Sequence, residues 1–240
     1  LAANANPAIF LRMSVSETAP KKGRPSAKAE AARVQEIFDR FAAAEDHPKT
    51  ELNYSSPFTL VVAVALSAQA TDVSVNKATK ALFRDAPDPA AMAALGVEGL
   101  TPYIQSIGLY RTKAKNVIAL SNILLEQYGG KVPLTREALM ALPGVGRKTA
   151  SVVLNELDIE PAIAVDTHVF RVAHRLKIAS GSTPDKVEAE LMKAVPQPYL
   201  TRAHHWLILH GRYTCVARKP RCGNCIVADL CPSRELFIGG

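Results

Sequence analysis

Leu142-Pro143-Gly144-Val145-Gly146-Arg147-Lys148-Thr149-Ala150 links two stretches of helical apolar spacing through a turn with two glycines two positions apart. Glycine accepts positive φ and lets another group approach the backbone closely, so the motif predicts a tight helix-to-helix turn with unhindered amides at the next helix start. Such a start attracts an anion, a nucleic-acid phosphate among them, because its N–H groups are unpaired and the macrodipole is positive there. An ordinary connecting turn would use the same glycines. Lys148 falls in the first turn of the following helix, where the dipole disfavours a cation. Taken alone it reads as a phosphate contact. A lysine nucleophile must first shed its proton, and at a reference pKa of about 10.4 only about one amine in two thousand is neutral at pH 7.

On both sides of this turn, from position 29 onward, apolar residues recur at helical spacing, and period-two alternation between turn residues is nearly absent. The expected fold class is all-α. A first helix is predicted over 29–44, burying Ala32, Val34, Ile37, Phe38 and Phe41. A second over 58–67, after Pro57, is apolar nearly all round and therefore central. Thr71 caps a third that carries Val75, Ala78 and Leu82. The proline-rich segment 85–89 opens short helices near 90–95 and 98–106, and Gly108 breaks the run. A long helix over 111–128 ends at Gly129 and Gly130. Further helices are expected over 135–142, 145–157, 167–178, 184–195 and 200–212, without any solenoid-length repeat.

Eighteen residues beyond Lys148, Asp166 in Ala164-Val165-Asp166-Thr167-His168-Val169 directly precedes one of these helices. It reads as an N-cap, and an ionised cap carboxylate can also stabilise developing positive charge. The four cysteines, Cys215, Cys222, Cys225 and Cys231, fall within seventeen consecutive residues as C-x6-C-x2-C-x5-C. Four thiolates suit a tetrahedral zinc or an iron-sulfur cluster, and spacing alone separates neither. Two disulfides are disfavoured, because no secretory signal is visible and a chain of 240 residues can bury a core without staples. Residues 216–221 between the first two cysteines include Arg218, Lys219 and Arg221, either a phosphate-contacting loop or a solvated one. His168, His174, His204, His205 and His210 show no ligand spacing, and His210 continues an apolar stripe and should be packed.

Twenty-nine Lys and Arg against twenty-two Asp and Glu give a net charge of +7 and a pI near 9.3, which favours a polyanionic partner. The blander reading assigns much of the excess to Lys21, Lys22, Arg24 and Lys28 in a flexible tail over 1–28. Within it Met13 reads as a start, with 1–12 an upstream extension. No apolar run approaches the about eighteen residues that cross a bilayer, which excludes an integral helical membrane protein.

In this order the glycine turn with Lys148, the downstream Asp166 and the cysteine tail resemble endonuclease III, a family of bifunctional DNA glycosylases in the helix-hairpin-helix superfamily. The likeness runs over about 29–235 and includes Leu66-Ser67-Ala68-Gln69-Ala70-Thr71-Asp72, Ile107-Gly108-Leu109-Tyr110 and His204-His205-Trp206-Leu207-Ile208-Leu209-His210-Gly211-Arg212-Tyr213-Thr214-Cys215. The resemblance implies two helical domains flanking a DNA-binding cleft: a six-helix domain with the hairpin over 50–160, and an iron-sulfur cluster domain built from 29–49 and 161–240. It implies a 4Fe-4S cluster on the four cysteines, Lys148 as amine nucleophile and Asp166 as catalytic carboxylate. Gln69 and Leu109 would enter the duplex, the one filling the gap of a flipped nucleotide and the other wedging the opposite strand. Gly144, Gly146, Arg147, Arg218, Lys219 and Arg221 would contact DNA. The implied enzyme is a monomeric, cytoplasmic repair protein that removes oxidised pyrimidines from duplex DNA and cleaves 3′ to the abasic site by β-elimination. Two other readings are an adenine mismatch glycosylase, which would lack the lysine nucleophile, and a non-catalytic DNA-binding or redox-sensing module. An ionised Asp166 would favour the protonated amine, whereas the helix terminus and desolvation would favour the free one.

Overall fold

The computed structural model describes residues 26–238. Its regular elements are α-helices and short 3-10 turns, with no strand among the described residues. The helices are α1 (Ala27–Ala44), α2 (Pro57–Ser67), α3 (Asp72–Asp85), α4 (Pro89–Ile104), α5 (Tyr110–Tyr128), α6 (Arg136–Met140), α7 (Arg147–Glu156), α8 (Thr167–Arg175), α9 (Pro184–Ala194) and α10 (Leu200–Tyr213).

Most helices begin where a short polar side chain can accept an orphan amide. Ser26, Thr71, Asp88, Thr135, Asp166 and Thr183 each cap the helix that follows. Ser56 and Thr59 form a reciprocal capping box, with Pro57 at the first helical position of α2. Gly129, at φ 57°, ends α5 while Gly130 N–H reaches back to Leu124 O at 2.8 Å.

Several boundaries differ from expectation. Helix α7 starts two residues later than 145, because Gly146 is extended and takes the cap position itself. Helix α8 stops at Arg175, since Lys177 adopts φ +56° and Ile178 N–H turns back to Ala173 O at 3.0 Å. The two short helices expected near 90–106 run together as α4 and meet at Gly96, whose φ of 63° and ψ of 176° make the kink. Residues 27–28, expected in the tail, form the start of α1. The rest of the expected tail described here is Ser26, while 1–25, with Met13, Lys21, Lys22 and Arg24, lie outside the described residues.

Two hydrophobic cores organise the chain. Helices α2 to α7 enclose Leu60, Leu66, Leu82, Leu100, Leu120 and Leu154, all fully buried. At about 1.5–3 kcal/mol for each fully buried large apolar side chain, such a layer dominates the stability of this half. Helix α2 sits at its centre, as its all-round apolar sequence requires. The second core gathers α1, α8, α9 and α10 around Ile37, Phe38, Val169, Leu191, Trp206 and Leu207. Helix α1 joins it from far away in sequence. Trp206 Nε1 donates to Glu45 O at 2.8 Å, and the Phe38 ring packs with Tyr199 and Trp206 at 6.2 and 6.3 Å between centroids.

Polar groups link the two cores. Asn155 Nδ2 donates to Thr201 O at 2.9 Å. Arg212 on α10 reaches Asp72 at 2.5 Å and also pairs with Glu51. His205 Nε2 stands 3.0 Å from Glu156 Oε2 with both side chains buried, a close contact that is not an aligned hydrogen bond. A cleft opens along this junction.

Candidate active site

The cleft has a volume of about 710 Å³ and draws its walls from both cores. That is the size range of pockets that enclose a small organic ligand. Lys148, in the first turn of α7, lines one side, and Asp166, which caps α8, lines it nearby. Their side chains meet at 3.9 Å between Nζ and Oδ2. Lys148 is 55% exposed and Asp166 only 13%, so a mobile amine stands over a fixed carboxylate. The fixing is visible: Asp166 Oδ1 accepts from the backbone N–H groups of His168 and Val169, both at 2.8 Å. Capping consumes one carboxylate oxygen and leaves the other directed at the lysine.

His204 and His205 close the floor of the cleft, buried and packed edge to face at 5.2 Å. Burial, reinforced by His205, pushes His204 down to about 3, so its ring stays neutral beside the charged pair. Glu156, at the end of the helix that carries Lys148, accepts from Tyr54 and faces His205, which ties α7 to α10. The sequence reading missed this group: two adjacent histidines in an apolar helix have no spacing that marks them as a pair with a distant glutamate.

The glycine turn is built as its sequence demands. Gly144 has φ +79°, and a Cβ there would come within 3.0 Å of Asn116 Cβ on α5. Gly146 has open space around it and caps α7 without any side chain, so the first amides of α7 remain free of a side-chain cap. Arg147 is mostly exposed, 3.6 Å from Glu188.

Two side chains stand at exposed loop tips. Gln69 and Leu109 both adopt left-handed backbone, φ 54° and 60°, without being glycine. That conformation costs on the order of 1–3 kcal/mol at a non-glycine residue and persists only where the surroundings impose it. Gln69 lines the cleft, and Leu109 is 61% exposed despite being apolar. Their loops adjoin, since a Cβ on Gly108 would lie 3.7 Å from Gln69 O.

Some distance away in the second core, Cys215, Cys222, Cys225 and Cys231 line one apolar pocket, and none is disulfide-bonded. Among the described residues no group of three or more Cys, His, Asp or Glu is gathered to hold a single metal ion. The four cysteines share one small apolar pocket, and four thiolates are the donor set of a tetrahedral zinc or of an iron-sulfur cluster. Burial first, and the neighbouring sulfurs after it, push the Cys225 and Cys231 thiols up, so a cationic centre is what lets four thiolates share this pocket. His210 packs against Phe41 at 5.2 Å, as its stripe predicted, with burial pushing it down to about 4. Arg218, Lys219 and Arg221 are exposed on the loop between the first two cysteines. Arg175 holds that loop through Val216 O at 2.8 Å and Ala217 O at 2.9 Å.

Comparison with known proteins agrees with this layout. Residues 62–197 match the model of the HhH-GPD superfamily of base excision DNA repair proteins, and residues 215–231 match the iron-sulfur binding domain of endonuclease III. Endonuclease III of Escherichia coli K12 is 59% identical over 85% of this chain and 97% of its own length. That of Haemophilus influenzae is 56% identical over 83% and 95%. Among solved structures, a trapped endonuclease III–DNA covalent intermediate aligns with a TM-score of 0.80 at 42% identity, covering 86% of this chain and 97% of that one. A thermostable thymine-DNA glycosylase shares the fold at 21% identity and a TM-score of 0.75. The cysteine pocket is therefore an iron-sulfur site. The chain belongs to the endonuclease III family within the HhH-GPD superfamily of base excision DNA repair proteins.

Proposed function

We propose that this protein is a base-excision-repair DNA glycosylase that removes oxidised pyrimidines from duplex DNA and then cuts the strand as an abasic-site lyase. One observation carries the reading: an amine and a carboxylate from separate helices, Lys148 and Asp166, lie 3.9 Å apart on the wall of a cleft large enough for a flipped nucleotide. Flipping costs a few kcal/mol and least for a damaged base, which contributes selectivity before any pocket contact.

In the proposed reaction Lys148 Nζ bonds to the sugar C1′ as the glycosidic bond breaks and its electron pair leaves with the base. Asp166 Oδ2 takes the amine proton directly or through one water. Until it takes that proton, its negative charge stabilises the positive charge that develops on the sugar. Opening of the sugar ring, with O4′ taking up a proton, leaves a Schiff base; loss of a C2′ proton then forms the C2′=C3′ double bond as the C3′–O bond breaks and the 3′ phosphate departs. Because the pair stands at 3.9 Å with Lys148 half exposed, the amine can swing toward C1′ without leaving reach of the carboxylate.

Around this centre Gln69 fills the gap left by the flipped nucleotide and Leu109 wedges the opposite strand, consistent with their exposed, strained positions. The free amides at Gly144 and Gly146, with Arg147, receive a phosphate, and Arg218, Lys219 and Arg221 bind further phosphates. The four cysteines would hold a 4Fe-4S cluster, whose bound form supplies a rigid anchor for the basic loop; no electron transfer enters the reaction. We assign the six-helix domain to 50–160 and the cluster domain to 29–49 with 161–240, a division supported by the two separate cores. Both reacting groups belong to one chain, which supports action as a monomer. None of the described helices is long and apolar enough to cross a membrane. The amine beside Asp166 disfavours the adenine mismatch reading and a purely non-catalytic role.

Borohydride tests the proposal directly. Wild type should be trapped covalently on abasic-site duplex and Lys148→Ala should not. Absence of a trapped species from cluster-loaded, DNA-binding wild type would overturn the lyase assignment.

A further inference from the structure

Lys113 lies in the first turn of α5 and is 7% exposed, in a position where both the helix dipole and burial oppose a cation. Burial lowers its pKa from the ordinary lysine value, with no carboxylate beside it to compensate. Its ammonium instead donates to two main-chain carbonyls at the end of α2, Leu66 O at 2.9 Å and Ala68 O at 2.7 Å. The neighbouring carbonyls at this helix end have other partners: Val64 O accepts from Ser67 Oγ at 2.8 Å, and Ser67 O from Ala70 N–H at 3.0 Å. A buried carbonyl without a donor costs about 1–3 kcal/mol, and Lys113 relieves that cost at Leu66 while also tying down the exposed Ala68.

The placement matters more than the energy. The segment that Lys113 fastens, Leu66 to Ala68, leads directly into Gln69. Its own backbone N–H donates to Leu109 O at 3.1 Å, the residue at the tip of the other loop. That backbone bond is the regular first-turn bond of α5, so it is the side chain of Lys113 that ties the base of the Gln69 loop to the helix whose start carries Leu109. Gln69 and Leu109 carry the left-handed backbone at the two tips, so the constraint has to come from beneath them.

We propose that Lys113 is a positioning residue that sets the separation of Gln69 and Leu109, so that both enter an opened base pair together. This rests on the insertion roles proposed above for those two side chains. It requires no contact between Lys113 and DNA. The need for Lys113 then depends on how much the duplex resists opening, because a lesion that is already unpaired leaves no partner base to hold away.

The test compares Lys113→Met, which keeps the stem and deletes the donors, with wild type under single-turnover conditions on the same lesion in two contexts. Excision from a fully paired duplex should fall by about tenfold or more, the scale expected for losing charge-assisted hydrogen bonds at one loop base. Excision of the lesion opposite a gap, and borohydride trapping on single-stranded abasic DNA, should stay within about threefold of wild type if the site itself is intact. Lys113→Arg, which retains donors, should recover part of the paired-duplex rate. In a Gln69→Ala/Leu109→Ala background the Lys113→Met change should add little further loss, because its effect runs through those two side chains. Equal losses in paired and gapped contexts, or a fully additive loss in the double background, would reduce Lys113 to a folding role and overturn the proposal. Should Lys113→Met fail to fold, the paired-to-gapped rate ratio of Lys113→Gln, whose shorter side chain cannot reach both carbonyls, decides: a ratio equal to that of wild type overturns the proposal. If Gln69→Ala/Leu109→Ala itself excises normally from paired duplex, the insertion reading fails, a result separable from failure of Lys113.

Discussion

Asp166→Asn tests the proposed catalytic role apart from folding, because the two carboxylate oxygens have different partners. Oδ1 accepts two backbone amides at 2.8 Å as the cap of α8, and an asparagine carbonyl oxygen can occupy the same place. Stability should therefore change by less than about 0.5 kcal/mol, whereas Asp166→Ala, which removes the cap, should cost about 0.5–2 kcal/mol. At a scale of roughly 2–4 °C per kcal/mol, the two variants become distinguishable by thermal unfolding. The effect on chemistry follows from Oδ2 and its charge, 3.9 Å from the lysine amine. Two unit charges at that separation interact by about 1 kcal/mol in bulk water and about 4 kcal/mol at an effective dielectric of 20. With Lys148 55% exposed, the free enzyme lies toward the weak limit. Once DNA covers the cleft and excludes water, the stronger limit governs the charge that develops during base loss. A loss of about 4 kcal/mol corresponds to roughly a thousandfold fall in the excision rate. Single-turnover excision from a duplex carrying one oxidised pyrimidine measures it, with binding followed by fluorescence anisotropy. Anisotropy should stay near wild type while excision falls by orders of magnitude. Unchanged excision by Asp166→Asn would refute a catalytic role for the charge, and a large drop in melting temperature would refute the division of labour between the oxygens.

Charge reversal or removal at Arg218, Lys219 and Arg221 should flatten the dependence of log K on log salt by roughly 0.9 per lost phosphate contact, and a slope equal to that of wild type would remove those side chains from the interface. Gly144→Ala should destabilise the protein by about 1–3 kcal/mol, because φ is +79° and the new Cβ would press on Asn116; chemical denaturation of the cluster-loaded protein reads it. His204 is neutral when folded, held down to about 3, and protonates near 6.5 when unfolded. Its contribution to stability is therefore complete above about pH 6.5 and lost as pH falls toward 3, with on the order of 2 kcal/mol gone between pH 6.5 and 5. Melting curves across that window should show a shallower slope for His204→Gln than for wild type, and identical slopes would contradict the burial of this ring.

The helical character of the chain, the caps at Thr71 and Asp166, and the glycine turn were all legible in the sequence, because each rests on neighbours within a few residues. Periodicity likewise marked α2 as central and located the stripe of α1 apart from Ala32, which is exposed. Boundaries slipped where the deciding residue adopted a left-handed or extended backbone, as Lys177 and Gly146 do, since pattern alone carries no φ.

Local chemistry along the chain determined which residues could cap, turn, bury or bind sulfur-loving metal, and the order of the motifs was enough to mark the family. Tertiary structure alone decided which of those residues meet. The 3.9 Å approach of Lys148 to Asp166, the contact of Glu156 with His205 and the reach of Lys113 to Leu66 and Ala68 all depend on helices distant in sequence packing at fixed angles and separations. Hydrophobic burial drives that packing without direction, so the pairings it creates between polar side chains are set by the shape of the filled cores and leave no periodic trace in the sequence.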